Sequence, residues 1–175
     1  MKRKASKKIA FWGIMTALTI TLSFLEGMID IPIAMPGAKL GLANVVVVSA
    51  SMISGFYAAL YICIVKSLFV LATRGATAFI LSLSGGLLSG AVTVISLKYL
   101  RKYLSLIGIS ILSAFCHNLA QLISAIIIMK TGSLIYYLPM LAIFSLVFGS
   151  VTGAVMIGIE PYISKHFSER EGINE

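Results

Sequence analysis

The sequence predicts an all-α membrane protein, a bundle of six transmembrane helices. Three observations support this prediction: 59% of the 175 residues are hydrophobic, only 11% are charged, and the apolar residues form long uninterrupted runs. A soluble chain needs more polar side chains than this to cover its surface. Crossing ~30 Å of hydrocarbon takes about 20 helical residues, so long runs without charged residues are candidate spans.

Four runs that lack Asp, Glu, Lys and Arg each predict one span, and polar residues or turn formers separate them. They cover residues 9–25, 77–97, 104–129 and 134–159. Together with the two spans argued below they define a membrane domain of residues 9–163. Residues 1–8 are predicted to be a basic cytoplasmic flank, and residues 164–175 a cytoplasmic tail.

The apolar stretch 40–72 is too long for one span and short for two. A turn at Ser54-Gly55 would divide it into spans 40–54 and 56–72. With six spans, ten Lys and Arg residues lie on the cytoplasmic side and three outside, with Lys66 in the membrane, whereas one long helix gives eight against six. The positive-inside rule therefore favours a multi-pass plasma membrane protein with both termini in the cytoplasm.

The segment between the first two spans, residues 26–39, is predicted to be an external loop. It contains Asp30 and the two prolines Pro32 and Pro36, so it is neither helical nor apolar enough to cross the membrane. The prolines stiffen it. Stiffness suits a lid over a binding site and equally suits an inert connector, and the sequence leaves both interpretations open.

Polar side chains inside the spans are the first candidates for function, because they are costly in a membrane and usually face a cavity or a partner helix. His117 and Gln121 are four residues apart, and Asn118 and Gln121 are three apart. We therefore expect all three to project from one side of a helix. They could bind a ligand or simply join neighbouring helices. The candidates within the spans are Asn44, Lys66, His117, Asn118 and Gln121.

Lys66 needs a negative partner at its depth in the membrane. An anionic substrate could supply the charge, and so could Glu26 or Asp30. Small residues form a separate pattern on the first helix, where Gly13 and Ala17 stand four apart. Such a face allows close helix packing, either within the bundle or against a partner subunit.

Several classes of function have no support in the sequence. Cys63 and Cys116 lie in apolar runs without neighbouring ligands, so no metal or other cofactor is predicted. No Asp-rich motif for magnesium and no phosphate-binding glycine loop is present, so we predict a non-catalytic protein whose energy comes from a partner or an ion gradient. The net charge of +8 indicates membrane orientation rather than nucleic-acid binding.

Four motifs occur in one order along the chain: PGAKLGLAN at 36–44, SLSGGLLS at 82–89, GIS followed by HNLAQ within 108–121, and YLP at 137–139. They resemble the Gx transporter family, whose members are often labelled heptaprenyl diphosphate synthase component I. That family is grouped with the S components of energy-coupling-factor importers, which are six-helix membrane proteins with both termini inside.

The resemblance implies partners and roles for particular segments. Residues 26–39 would form a lid over the substrate, and Gly13 and Ala17 would dock a transmembrane coupling subunit that works with two cytoplasmic ATPase subunits. Gly13 departs from the alanine commonly found there. The synthase label would instead make the chain an accessory component.

The resulting hypothesis is a substrate-binding subunit that imports a small vitamin-like or isoprenoid- or quinone-related metabolite. The alternatives are a membrane accessory of a polyprenyl diphosphate synthase and a membrane component of a flavin or quinone electron-transfer pathway. The hypothesised substrate site consists of Lys39, Asn44, Lys66, His117, Asn118 and Gln121.

Overall fold

The computed structural model describes residues 2–28 and 43–171, with the side chains at 2–9, 44, 53–54 and 163–171 left out of the description. These residues are almost entirely helical and include no β-strand. A π-helical turn covers Ser96–Leu100 and a 3-10 helix covers Gly132–Tyr137. The α-helices are α1 (Lys2–Met28), α2 (Asn44–Ser54), α3 (Phe56–Ile95), α4 (Leu106–Met129) and α5 (Leu138–Glu171).

Two glycines break the helical path. Gly55 separates α2 from α3 with φ 72° and ψ −154°, and Gly75 interrupts α3 with φ 84° and ψ −178°. Side chains rarely tolerate this region of backbone space, which glycine adopts without a Cβ clash. The helix break expected at Ser54-Gly55 is therefore present. Gly75 turns α3 into a hairpin, with a first arm before it and a second arm after it.

The two arms of α3 pack against each other in opposite directions. Ser67 donates a 3.4 Å hydrogen bond to Ser82 on the other arm, and Gly86 leaves room for the Cys63 side chain. α2 adds an apolar contact with the first arm, in which Val46, Val47 and Ala50 meet Ala58, Ala59 and Ile62. The centre of the bundle therefore consists of α2 and this hairpin.

α4 packs between the second arm of α3 and α5. Its closest approach to α5 occurs at Gly149 and Gly153. A Cβ atom at Gly149 would lie 2.6 Å from the Cα atom of Ile111, and one at Gly153 would meet the backbone of Ile107. Small residues four apart thus let the two backbones come together, as is common between membrane helices.

α1 lies at the edge of the bundle and runs in the same direction as the first arm of α3. The Trp12 and Tyr61 rings meet edge to face with centroids 5.5 Å apart, and farther along the helix Arg74 Nη2 donates to the Ser23 carbonyl over 2.9 Å. α1 continues to Met28, so Glu26 lies in the helix and is buried. The prediction that the external loop begins at Glu26 was wrong, because the helix extends beyond its charge-free run.

Four helical segments are long and apolar enough to cross a membrane: Ala10–Met28, Phe56–Leu100, Leu106–Met129 and Gly132–Tyr162. They also expose large apolar side chains, including Ile14 at 65% and Ile143 at 64%. The prediction of an all-α protein with several helices able to cross a membrane is confirmed. α2 has 11 residues and is about 16 Å long, which is half of a hydrocarbon core. The number of crossings and their sidedness stay predictions.

Candidate functional site

Lys66 is buried in the middle of the α3 hairpin, with 3% of its surface exposed. Within the described residues it forms no hydrogen bond and no ion pair. The ion pair that the described residues do contain joins Arg101 to Glu160. Its ammonium group lies within electrostatic range of His117. A buried cation thus acts on His117 of α4, and no negative side chain is bonded to it in the described part of the chain.

His117 and Gln121 project from α4 onto the second arm of α3. Both are buried, with exposed fractions of 2% and 4%. They lie on Gly85. A Cβ atom there would come within 2.8 Å of His117 Cε1 and 2.9 Å of Gln121 Cγ. The missing side chain at residue 85 therefore makes the space that these two side chains occupy.

The His117 ring is held by the second arm of α3. Its Nδ1 atom lies 3.3 Å from the Ser89 hydroxyl, and the ring lies against Gly85. The Ser89 hydroxyl donates to the Gly86 carbonyl over 3.2 Å. One edge of the imidazole is consequently fixed against α3.

Ser113 extends this polar contact by one turn of α4. Its hydroxyl donates to the Ser89 carbonyl over 3.2 Å and accepts a 2.7 Å hydrogen bond from Thr93. All three hydroxyl-bearing residues are buried. The contact between α3 and α4 at this depth is therefore a row of hydrogen-bonded side chains that ends at His117.

Asn118 points in a different direction. Its amide donates to the Ser145 hydroxyl of α5 over 2.9 Å. Adjacent residues on an α-helix are separated by about 100° of rotation, so His117 and Asn118 contact different neighbouring helices. The structure brings His117 and Gln121 together on Gly85, with Lys66 within electrostatic range of His117, and directs Asn118 to α5 instead. The hydrogen bond to Ser145 fits the helix-packing alternative for this residue.

Two further predicted site residues, Lys39 and Asn44, have no described side chain. Lys39 lies outside the described residues, as does Asp30. Asn44 is the first residue of α2, and its backbone alone is described. Val47, one turn later, lies 3.8 Å from the Cβ position of Gly90. The start of α2 therefore lies at about the same depth in the bundle as Gly86 and Cys63, within one helical turn. Lys66 is about one turn of α3 from Cys63.

The predicted docking residues lie on the outer face of α1. Gly13 and Ala17 are exposed, and a Cβ atom at Gly13 would meet nothing within 4 Å. Ile14 and Leu18 beside them are 65% and 44% exposed. This face is free within the described chain, and its contact with a coupling subunit remains a prediction.

The family described as heptaprenyl diphosphate synthase component I matches residues 15–158. The chain belongs to this family. The matched region includes Lys66, Gly85, His117 and Gln121, and the family resemblance inferred from the four sequence motifs is confirmed. No curated protein and no solved structure matches the chain.

Sequence reasoning missed two residues that shape the site in this member of the component I family. Gly85 and Ser89 lie in the motif at 82–89 and were not among the predicted site residues, although they contact His117. The sequence does contain a signal for this role, since a glycine that faces a polar residue on a neighbouring helix leaves room for that residue's side chain. The pairing of α4 with the second arm of α3 could not be predicted from the sequence.

A groove of about 550 Å³ runs between α4 and α5, and its lining is almost entirely apolar. It holds none of the residues predicted to bind substrate, although Ser145, the partner of Asn118, lies at its wall. No group of three or more metal-ligating side chains occurs among the described residues. The candidate site therefore consists of the buried polar residues Lys66, His117 and Gln121.

Proposed function

We propose that this chain is the substrate-binding membrane subunit of an energy-coupling-factor type importer and has no catalytic activity of its own. The observation that supports this most strongly is Lys66, a buried cation without a bonded partner in the described chain and within electrostatic range of His117. Such a group in a membrane protein marks a substrate or ion site by default.

The argument for a ligand is energetic. An ammonium group buried without a counter-charge is destabilising, and a purely structural lysine would be expected to have a permanent acidic partner. A bound anion supplies that partner only when it is present. Gln121 and His117, which share the Gly85 space, would add directional hydrogen bonds in a low-dielectric surrounding, where charge-assisted bonds are strong.

The proposed working complex contains a transmembrane coupling subunit, docked on the face of Gly13 and Ala17, and two cytoplasmic ATPase subunits. In this proposal the bundle crosses the plasma membrane six times with both termini in the cytoplasm. The ligand would enter from the outside, toward which α1 and the first arm of α3 both run. The basic residues near the opposite end of the bundle, including Lys98, Arg101 and Lys102, support this orientation.

Uptake measurements test the proposal. Cells carrying the wild-type chain and cells carrying the double variant His117→Leu and Gln121→Leu would be compared for depletion of metabolites from a defined medium, followed by mass spectrometry. We expect the variant to lose uptake of one metabolite while its amount in the membrane is unchanged. The matched control is Ser124→Ala, which removes a 2.9 Å hydrogen bond between α4 and Ser84 without touching the site. Unchanged uptake in the double variant contradicts the proposal.

The family description favours a second candidate, a membrane accessory of heptaprenyl diphosphate synthase. In that case a soluble prenyl synthase should co-purify with this chain in mild detergent. Deleting the chain should then change the length of the prenyl product. Neither result is expected of an import subunit, so the two candidates are separable by one pull-down and one product analysis.

A further inference from the structure

The groove between α4 and α5 runs along the outer surface of the bundle from the start of α4. On α4 its lining begins at Leu104 and Gly108 and reaches Phe115. From Gly108 to Phe115 it follows one stripe of the helix for about 10 Å. On α5 the lining includes Ile143 and Leu146, which are exposed, so the groove opens to the outside of the bundle. In a membrane this opening faces lipid.

Small residues create the groove. Gly108 has no side chain, and Ala142 on α5 has only a methyl group. A Cβ atom at Gly108 would lie 3.5 Å from Leu104, an ordinary contact distance, so α4 has room for a larger residue there. A partner helix fits poorly, because close helix contacts need small residues and the α5 wall carries Ile143 and Leu146. A flexible hydrocarbon chain can fill such a space.

Two basic residues directly precede Tyr103 and Leu104 at the beginning of the groove. Arg101 and Lys102 are both exposed, and Arg101 is bonded to Glu160 over 2.6 Å. Among the described residues no carboxylate is bonded to Lys102, so its charge is available to a partner. The first turn of α4 adds a partial positive charge at the same end. The end of the groove at Leu104 therefore favours a negatively charged group.

Exposed tyrosines indicate the depth of this end in a membrane. Tyr99, Tyr103 and Tyr162 are exposed, and each lies two residues from Arg101 or Glu160. Tyrosines of membrane proteins concentrate at the level of the lipid headgroups. The basic end of the groove is therefore expected at headgroup depth, and its apolar part beside the hydrocarbon.

We propose that the groove binds one acyl chain of an anionic phospholipid, while Lys102 and the start of α4 bind the phosphate group of that lipid. Positive charge at headgroup depth and an adjoining apolar groove match the two parts of such a molecule. Basic pockets between transmembrane helices recognise anionic headgroups in this way. The groove contains none of the candidate site residues Lys66, His117 and Gln121, so the inference does not depend on the proposed import function.

Competition between two phospholipids tests the charge requirement. The full-length chain in mild detergent would be mixed with equal amounts of phosphatidylglycerol and phosphatidylcholine that carry the same acyl chains. Native mass spectrometry would then compare the two lipids in the complex with one bound lipid. We expect phosphatidylglycerol to exceed phosphatidylcholine about fivefold, the effect of one basic residue on an anionic headgroup.

Lys102→Gln should remove this preference without changing the helices. Lys98→Gln is the matched control, because it removes the same charge from the same end of the bundle. Lys98 lines a different pocket, between α2 and the second arm of α3, and should leave the preference unchanged. An equal loss in both variants would reduce the effect to general surface charge and overturn the inference.

Filling the groove tests its apolar part. Phosphatidylglycerol with a photoreactive diazirine in its acyl chain should crosslink to residues 104–115 or 142–146 of the wild type, and Gly108→Leu should lose these crosslinks. Gly132→Leu is the control, since it adds the same side chain at the opposite end of α4, where a Cβ atom would meet nothing within 4 Å. Ala142→Leu fills the groove from α5 and replaces Gly108→Leu if that variant does not fold.

The other outcomes are also decisive. Equal binding of the two phospholipids by the wild type, or crosslinks that lie outside the groove, would overturn the inference. Heptaprenyl diphosphate that abolishes the crosslinks at a lower concentration than unlabelled phosphatidylglycerol does would assign the groove to a prenyl chain. That result would overturn the phospholipid site and favour the synthase accessory.

Discussion

His117 of α4 lies directly on Gly85 of α3, with its Cε1 atom 2.8 Å from the point that a Cβ atom at residue 85 would occupy. Real Cβ contacts are not this short, so any larger residue at 85 must displace the imidazole or the helix. The Gln121 stem is also within 2.9 Å of the same point. One glycine thus controls the position of two of the three side chains in the candidate site.

Replacing Gly85 by alanine should remove ligand binding while the chain remains folded. The methyl group would push His117 and Gln121 from α3, and it would also lower the unfolding midpoint because the surrounding side chains are buried. Gly158→Ala is the matched control, since a Cβ atom there would meet nothing within 4 Å. Thermal unfolding and ligand retention measured on both variants check this, and an equal effect of the two would contradict the role of Gly85.

Replacing Lys66 by methionine should weaken ligand binding without lowering stability. Without ligand, removing a buried charge that has no bonded partner in the described chain should leave the unfolding free energy unchanged or raise it by ~1–4 kcal/mol. Ligand binding should fall sharply. Unfolding in detergent without ligand measures the first effect. A strong loss of stability would instead indicate that Lys66 has a structural partner.

Asn118→Leu should act on stability and not on ligand binding. The change removes the hydrogen bond to Ser145 between α4 and α5, and such bonds between membrane helices contribute about 0.6 kcal/mol and at most about 1.7. Urea or thermal unfolding measures the loss. If the variant keeps its stability and loses the ligand, Asn118 belongs to the site after all, as the spacing in the sequence suggested.

Gly13→Leu should prevent co-purification with a coupling subunit and leave the unfolding midpoint of the isolated chain unchanged. The space around Gly13 is open, so the isolated chain has room for the larger side chain, whereas a closely packed partner helix does not. Met28→Leu, at an exposed position of the same helix, is the control. Pull-down with a tagged coupling subunit measures the effect, and an intact complex would mean that this face does not dock it.

The sequence predicted the helices better than it predicted their faces. Long apolar runs gave α4 and α5, and Ser54-Gly55 gave the break before α3, because hydrophobic length and glycine are local signals. The predicted ends were less accurate, as Glu26 shows. A helix can continue past its last apolar residue when the next side chains are buried by the bundle, which a run of sequence does not reveal.

The candidate site was predicted in part for the same reason. Lys66, His117 and Gln121 stood out because large polar groups are rare in membrane spans. Asn118 was grouped with them on spacing alone, yet α4 has α3 on one side and α5 on another, and a rotation of about 100° separates the two directions. Gly85 carries no polar atom in its side chain, so its role follows only from the helix pairing.

The most direct test of the central claim is mass spectrometry of the small molecules that co-purify with the chain in mild detergent, comparing the wild type with Lys66→Met. The account predicts one small anionic metabolite in the wild-type sample and its loss from the variant. A prenyl diphosphate, or the same metabolite in equal amount in both samples, would contradict it.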